Sequence, residues 1–97
     1  MKIISEEHAA TLAEIFSALS DSSRLKIISV LAEQELNVGA IAELIDLSES
    51  ATSHHLRGLR QMQLVRARKE GRQVFYRLSD DHITQLYRIG LEHILHG

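Results

Sequence analysis

The spacing of the apolar residues changes once along this chain, and that change constrains the fold more than any other feature. As far as residue 62, apolar side chains recur every three or four residues, as they do in helices with one buried face. Residues 64–68 and 73–78 instead alternate with a period of two around the glycine-containing segment 69–72, which predicts a β-hairpin. Helical spacing returns after residue 80. We therefore expect a mainly α-helical protein with one small hairpin before its last helix.

Short polar side chains divide the first part of the chain into four helices. Serine, aspartate and asparagine at a helix start accept hydrogen bonds from the free N–H groups of the first turn. The predicted caps are Ser5, Asp21, Asn37, and either Ser48 or Ser50. The tight connection at residues 46–48 joins the third and fourth helices as a helix-turn-helix. The expected apolar faces of the first two helices are Ala9, Leu12, Ala13, Ile15, Phe16 and Leu19, then Leu25, Ile27, Ile28, Leu31 and Ala32.

Length and composition bound the class of protein. The 97 residues contain no linker or repeat, which predicts a single domain over residues 1–97. The absence of cysteine excludes disulfides and thiolate sites for soft metals. No apolar run approaches the ~20 residues of a membrane span, and the N-terminal segment is acidic where a signal peptide is basic. We expect a cytoplasmic protein with no membrane partner.

The charges are distributed unevenly along the chain. Residues 1–56 carry a net charge of −6 and residues 57–77 a net charge of +6, although the whole chain carries only −2. A solvated charged hairpin would account for the basic segment alone. Helix-turn-helix followed by a basic hairpin is, however, the order of a winged helix, whose second helix enters the DNA major groove while the wing reaches the backbone. The predicted contacts to double-stranded DNA are Ser50, Ser53, His54 and Arg57 on the helix, and Arg68, Lys69 and Arg72 on the wing.

Three of the six histidines lie in the last sixteen residues, which follow Asp80 and Asp81. His82 and His93 fall on nearly one face of a helix but ~16 Å apart along it. Metal–nitrogen bonds are about 2 Å long, so one ion cannot join both within a single helix. Two copies of the helix crossing antiparallel would pair Asp80 with His96, and His82 with His93, about one two-fold axis. Apolar residues on more than one face of this helix likewise predict a homodimer formed through terminal helices.

This geometry predicts two sites per dimer, each with three imidazole nitrogens and one carboxylate oxygen. Such a ligand set suits Zn²⁺, with Co²⁺ as the other fitting ion. Asp81 rivals Asp80 as the carboxylate, and terminal histidines can instead be solvated or interact as cations with the helix C-terminus. Because four protein ligands leave no open position for a substrate water, we do not expect an enzyme.

Residues 35–44, 47–59 (LSESATSHHLRGL) and 64–78 (LVRARKEGRQVFYRL) together resemble the ArsR/SmtB family of metal-sensing repressors. The resemblance implies a winged-helix homodimer that binds an inverted-repeat operator without metal and releases it when zinc or cobalt binds. By position, the family's ligands fall on Asp80 and His82 of one subunit and on His93 and His96 of the other. It also implies operator contacts around Ser50, Ser53 and His54, and a relay from a ligand histidine, here His93, to a backbone carbonyl near Gln63.

Two positions depart from the family pattern. Asn37 and Gly39 stand where the thiolate sensors carry cysteine, which excludes arsenite, cadmium and lead sensing there. Ser22 stands where many members have proline, a difference that affects only pre-organisation of the helix start. Two alternatives stay open: a nickel or cobalt sensor with extra N-terminal ligands, for which His8 and the N-terminal amine are candidates, and a winged-helix regulator without a metal response.

Overall fold

The computed structural model describes all 97 residues and contains five α-helices and three short strands. The helices are α1 (Glu6–Leu19), α2 (Ser22–Leu31), α3 (Val38–Ile45), α4 (Glu49–Gln61) and α5 (Asp81–His96), and the strands are β1 (Leu36–Asn37), β2 (Val65–Glu70) and β3 (Gln73–Leu78). The expected order of helices and hairpin is confirmed. No helix is both long enough and apolar enough to cross a membrane.

The predicted caps begin their helices as expected. Ser5, Asp21 and Asn37 each accept a hydrogen bond from the backbone N–H three residues further on, at 2.8–3.1 Å. Of the two candidates for α4, Ser48 is the cap and accepts from Ala51 at 3.0 Å. Ser50 therefore lies within the first turn of α4, where its hydroxyl is exposed rather than used as a cap.

The core lies between α2, α3, α4 and the base of the hairpin. Its most completely buried side chains are Ile27, Ile28, Ile41, Leu56, Leu59 and Val65, each at most 2% exposed. Four residues predicted to face this core are exposed: Ala13, and also Leu12, Phe16 and Leu25, which are 43%, 48% and 42% exposed. The first three lie on α1, and Leu25 lies in an apolar cleft between α2 and α5.

The sheet is antiparallel with the strand order β1–β3–β2. The hairpin turn is shorter than the predicted four residues, because Gly71 and Arg72 alone connect Glu70 with its partner Gln73. Gly71 has a φ of +63°, which the first position of a type II′ turn requires and which favours glycine. Strand β1, which pairs Leu36 and Asn37 with β3, was not predicted from the sequence.

One face of α5 packs against the rest of the chain, and the other face is exposed to solvent. Ile83 and Tyr87 pack against the core cluster, but no residue of α5 is fully buried. Ile89, Ile94 and Leu95 are 64–79% exposed. The prediction that α5 is apolar on more than one face is thus confirmed in the isolated chain.

Candidate DNA interface and metal site

One face of α4 presents the side chains predicted to contact DNA. Ser50, His54 and Arg57 are exposed and Ser53 is half-buried, and their spacing of three, one and three residues places all four on one helical stripe. Thr52, Leu56 and Leu59 are buried on the other side of α4. His55 is half-buried whereas His54 is exposed.

Buried contacts fix the start of α4. The Thr52 hydroxyl donates to the carbonyl of the Ser48 cap at 2.8 Å, which leaves no unpaired polar atom at this fully buried residue. Asp46 adopts the left-handed conformation, with φ 58°, and thereby makes the sharp turn between α3 and α4. The stripe therefore stands on a helix that is anchored at its N-terminal end, where winged-helix proteins approach base edges.

Arg68 holds the wing against the body of the domain. Its guanidinium is 2.7 Å from Glu35, which precedes β1, and it also pairs with Glu70. It lies over the Phe75 ring with 4.9 Å to the centroid, a cation–π geometry. The pairing with Arg68 lowers the pKa of Glu35, and the same carboxylates raise the pKa of Arg68. Arg68 thus has counter-charges within the chain, unlike the other predicted wing contacts.

The remaining basic side chains of the wing form no ion pair within the chain. Lys69 and Arg72 are exposed at and beside the hairpin turn and form no ion pair. Arg66 and Arg77 lie directly opposite each other across β2 and β3, and both are exposed. Like charges facing each other in this way destabilise a sheet, and a polyanion would relieve the repulsion.

Asp80 and His82 lie together at the start of α5. Asp80 caps the helix, and its Oδ1 atom accepts from the backbone N–H of His82 at 2.9 Å and of Ile83 at 3.4 Å. The Nδ1 atom of His82 is 3.4 Å from the same oxygen. The Oδ2 atom of Asp80 makes no hydrogen bond, and both side chains are largely exposed. The carboxylate therefore has a free oxygen for a further ligand while it caps the helix.

His93 and His96 lie at the opposite end of α5, where they line a shallow cleft with Ile89 and Glu92. Within one chain, no three histidine, aspartate or glutamate side chains come close enough to hold a metal ion. The four predicted ligands are thus two pairs at the two ends of one helix. A zinc site with four protein ligands would therefore need one pair of these side chains from each subunit.

A polar cleft connects the start of α5 with the end of α4. It has a volume of about 440 Å³ and is lined by Arg60, Gln63, Arg66, Ser79 and Asp80, with apolar contributions from the strand. Gln63 is in the left-handed conformation with φ 59°. The Ser79 hydroxyl is the one buried side-chain polar atom of the chain without a hydrogen-bond partner. The cleft therefore places Asp80 beside Gln63, where the resemblance to the ArsR/SmtB family implies a relay to α4.

Arg24 makes contacts between helices that were not predicted from the sequence. Its side chain donates from Nε to Nδ1 of His55 at 3.2 Å and from Nη1 to the carbonyl of Ala18 at 3.3 Å. These contacts join α2 to α4 and to the end of α1. Thirty-one residues separate Arg24 from His55, so no local spacing in the sequence could have indicated the pair.

The comparisons with known proteins agree with this geometry. Residues 21–67 match the family described as "Bacterial regulatory protein, arsR family". The chain is 47% identical over 93 residues to a transcriptional repressor SmtB homolog of Synechocystis, covering 96% of this chain and 70% of the relative. It is 42% identical to a cadmium resistance transcriptional regulatory protein CadC homolog of Staphylococcus aureus, covering 88% of this chain and 71% of the relative.

A solved structure supports the architecture. The homodimeric winged helix-turn-helix DNA-binding domain of a possible ArsR-family regulator from Mycobacterium bovis superposes with a TM-score of 0.83 at 31% identity. The alignment covers 100% of this chain and 96% of that domain. The predicted winged helix-turn-helix fold is confirmed.

Proposed function

This chain belongs to the ArsR family of bacterial regulatory proteins, and we propose that it is a metal-responsive transcriptional repressor in the cytoplasm. A homodimer of this single domain binds an inverted-repeat operator in the metal-free state and releases it when Zn²⁺ or Co²⁺ binds between the subunits. Membership in a family of DNA-binding regulators agrees with the expectation that the chain is not an enzyme. The observation that supports the metal response is the separation of the four exposed candidate ligands into two pairs at the two ends of α5.

The named relatives support a metal-sensing repressor, and the name of one of them refers to cadmium. One is a repressor and the other a cadmium resistance regulator. Cadmium favours thiolate ligands, and this chain has no cysteine. Imidazole and carboxylate ligands in a set of four favour zinc or cobalt.

The DNA side of the function rests on the stripe of α4 and on the wing. Ser50, Ser53 and His54 can approach base edges or phosphates, and Arg57 can reach the backbone. Lys69 and Arg72 would supply sequence-independent affinity through phosphate contacts. Arg68 would do so only by sharing its guanidinium between a phosphate and the carboxylates of Glu35 and Glu70.

The metal side rests on the free oxygen of Asp80 and on three exposed imidazoles. Asp80 and His82 would hold the ion together with His93 and His96 of the partner subunit. Once bound, the ion would provide a rigid connection across the two α5 helices. Asp80 also lines the cleft that contains Gln63. A histidine of the partner subunit that binds the same ion as Asp80 would therefore lie near the end of α4. Its second nitrogen could then donate to a backbone carbonyl there, as in other sites where second-shell partners orient ligand histidines.

Metal titration of DNA binding tests the proposal. The DNA probe is a duplex selected by the metal-free protein from a randomised inverted-repeat library, and binding is measured by fluorescence anisotropy with Zn²⁺, Co²⁺ or Ni²⁺. We expect zinc to weaken binding of the wild type by roughly 5- to 150-fold, the usual range of allosteric coupling. The His82→Ala variant should bind the duplex equally well without metal and should not respond to zinc.

His8→Ala is the matched control, because His8 is also exposed but lies on α1. An equal zinc response in the wild type and His82→Ala would contradict the proposed site. A response to nickel that His8→Ala abolishes would indicate the nickel sensor instead. DNA binding without a response to any of the three ions would indicate a winged-helix regulator without metal sensing.

A further inference from the structure

The side chain of Arg24 connects α1, α2 and α4, and α4 is the helix that carries the proposed DNA contacts. Arg24 lies in the first turn of α2, where its backbone N–H donates to the Asp21 cap at 3.1 Å. Its guanidinium donates to the carbonyl of Ala18 in the last turn of α1 and to His55 on α4. Carbonyls of a last helical turn lack partners within their own helix, so the contact with Ala18 satisfies one of them.

The guanidinium lies directly over residue 58 of α4, where glycine leaves room for it. A Cβ atom at Gly58 would lie 2.5 Å from Nη2, 2.8 Å from Cζ and 3.1 Å from Nη1 of Arg24. Any other residue would push the guanidinium away from the helix. Glycine is unfavourable within a helix, and here its cost accompanies a close approach between two helices.

The contact between Arg24 and His55 also determines the tautomer of the His55 imidazole. Arginine has donors and no acceptor, so the Nδ1 atom of His55 must be the acceptor and carry no proton. The imidazole proton then lies on Nε2. A doubly protonated imidazole could not accept from Arg24 and would add a second positive charge beside it.

We propose that Arg24 is a positioning residue that fixes the position of α4 relative to α1 and α2, and that operator binding depends on it. The inference rests on the proposed DNA-binding function. His55 lies on the flank of α4, outside the stripe of Ser50, Ser53, His54 and Arg57, so Arg24 acts through the orientation of that stripe.

A double-mutant cycle with Arg24→Ala and Gly58→Ala tests the proposal. The first substitution removes the guanidinium, and the second displaces it while adding a residue that favours helix. Each single variant should bind the selected duplex at least about fivefold more weakly than the wild type, the scale of coupling between residues in contact. The double variant should be no weaker than Arg24→Ala, because both changes break one contact.

Nitrogen-15 NMR of the histidine side chains provides the second readout, in the absence of DNA. His55 should show an unprotonated Nδ1 atom and the Nε2–H tautomer in the wild type, and tautomer averaging in both single variants. Lys26→Ala is the matched control, since it removes one positive charge from the exposed side of the same helix. It should leave the His55 signals unchanged. Thermal unfolding confirms that each variant is folded at the temperature of the binding assay.

The inference is overturned if Arg24→Ala and Gly58→Ala bind the duplex as tightly as the wild type, if their effects multiply, or if the His55 signals do not change. Failure of the proposed function appears differently. In that case the wild type itself selects no duplex, while the NMR experiment still reports whether Arg24 sets the tautomer of His55.

Discussion

Asp80 has two roles at the scale of the single residue, and substitution can separate them. It caps α5 through Oδ1 and is proposed to bind zinc through the free Oδ2. Asparagine caps a helix about as well as aspartate, whereas alanine costs about 1 kcal/mol. We expect Asp80→Asn to keep the urea unfolding free energy close to that of the wild type but to lose zinc affinity in indicator competition. Asp80→Ala should lose about 1 kcal/mol of stability as well as zinc affinity.

Asp81→Asn is the control for this pair, since Asp81 is the neighbouring carboxylate and does not cap the helix. It should keep its zinc affinity. If Asp81→Asn lost zinc and Asp80→Asn did not, the carboxylate ligand would be Asp81.

The ion pair of Glu35 with Arg68 predicts a dependence of stability on pH. Arg68 lowers the pKa of Glu35 in the folded protein, so the pair stabilises the fold above the unfolded pKa of glutamate and stops doing so as pH falls through the folded value. We expect Glu35→Gln to lower the urea midpoint at pH 7, and the difference from the wild type to shrink as pH falls below about 4.

Glu33→Gln serves as the reference, because Glu33 is exposed and forms no ion pair. Its urea midpoint should stay close to that of the wild type at both pH values. A difference for Glu35→Gln that persisted unchanged at low pH would argue against the charge of Glu35 as its cause.

Single residues were predictable from the sequence where their role is local. Ser5, Asp21 and Asn37 act as caps because a cap contacts an N–H group only three residues away. The contacts of Arg24 with His55 and of Glu35 with Arg68 span more than thirty residues each. They depend on how helices and strands pack, which the spacing of residue types does not encode.

At the scale of elements, the helices and hairpin followed from periodicity but the small strand β1 did not. Two residues are too few to show an alternating pattern, and β1 exists only because β3 pairs with it. The predicted apolar stripes of α1 and α2 were right for Ile27, Ile28 and Leu31, which are buried. They were wrong as predictions of burial for Leu12, Phe16 and Leu25, since a stripe indicates an apolar face but not what covers it.

The wing predicts a particular salt dependence. Lys69 and Arg72 have no counter-ion in the chain, so each phosphate that they neutralise on DNA releases counter-ions. We expect Lys69→Ala and Arg72→Ala each to reduce the slope of log affinity against log salt concentration by about 0.9, with similar losses on selected and unrelated duplexes. The measurement is fluorescence anisotropy across a range of salt concentrations.

Lys26→Ala again provides the comparison, because it removes the same charge from α2, away from the wing. Its slope should equal that of the wild type. Slopes that stayed unchanged in both wing variants would place the hairpin tip outside the DNA interface.

At the scale of the whole molecule, the chain leaves large apolar surfaces on its two terminal helices. α1 exposes Leu12 and Phe16, and α5 exposes Ile89, Ile94 and Leu95. Exposed apolar residues grouped on one helix are typical of an interaction surface. The sequence predicted the antiparallel pairing of ligands from their spacing alone, and the structure adds that one chain offers each pair of ligands at a separate end of α5. Both features are explained if α5 meets a second copy of itself.

Mixed dimers test whether each metal site spans two subunits. One subunit carries Asp80→Ala with His82→Ala, the other His93→Ala with His96→Ala, and each homodimer should bind no zinc tightly. In the purified heterodimer, all four substitutions fall in one of the two sites, which therefore keeps no ligand. The other site is intact, with Asp80 and His82 from one subunit and His93 and His96 from the other. We therefore expect one tight zinc per heterodimer against two per wild-type dimer in indicator competition, with wild-type subunits carrying the same tags as control. A site within one subunit would leave the heterodimer without zinc, because neither chain retains all four ligands.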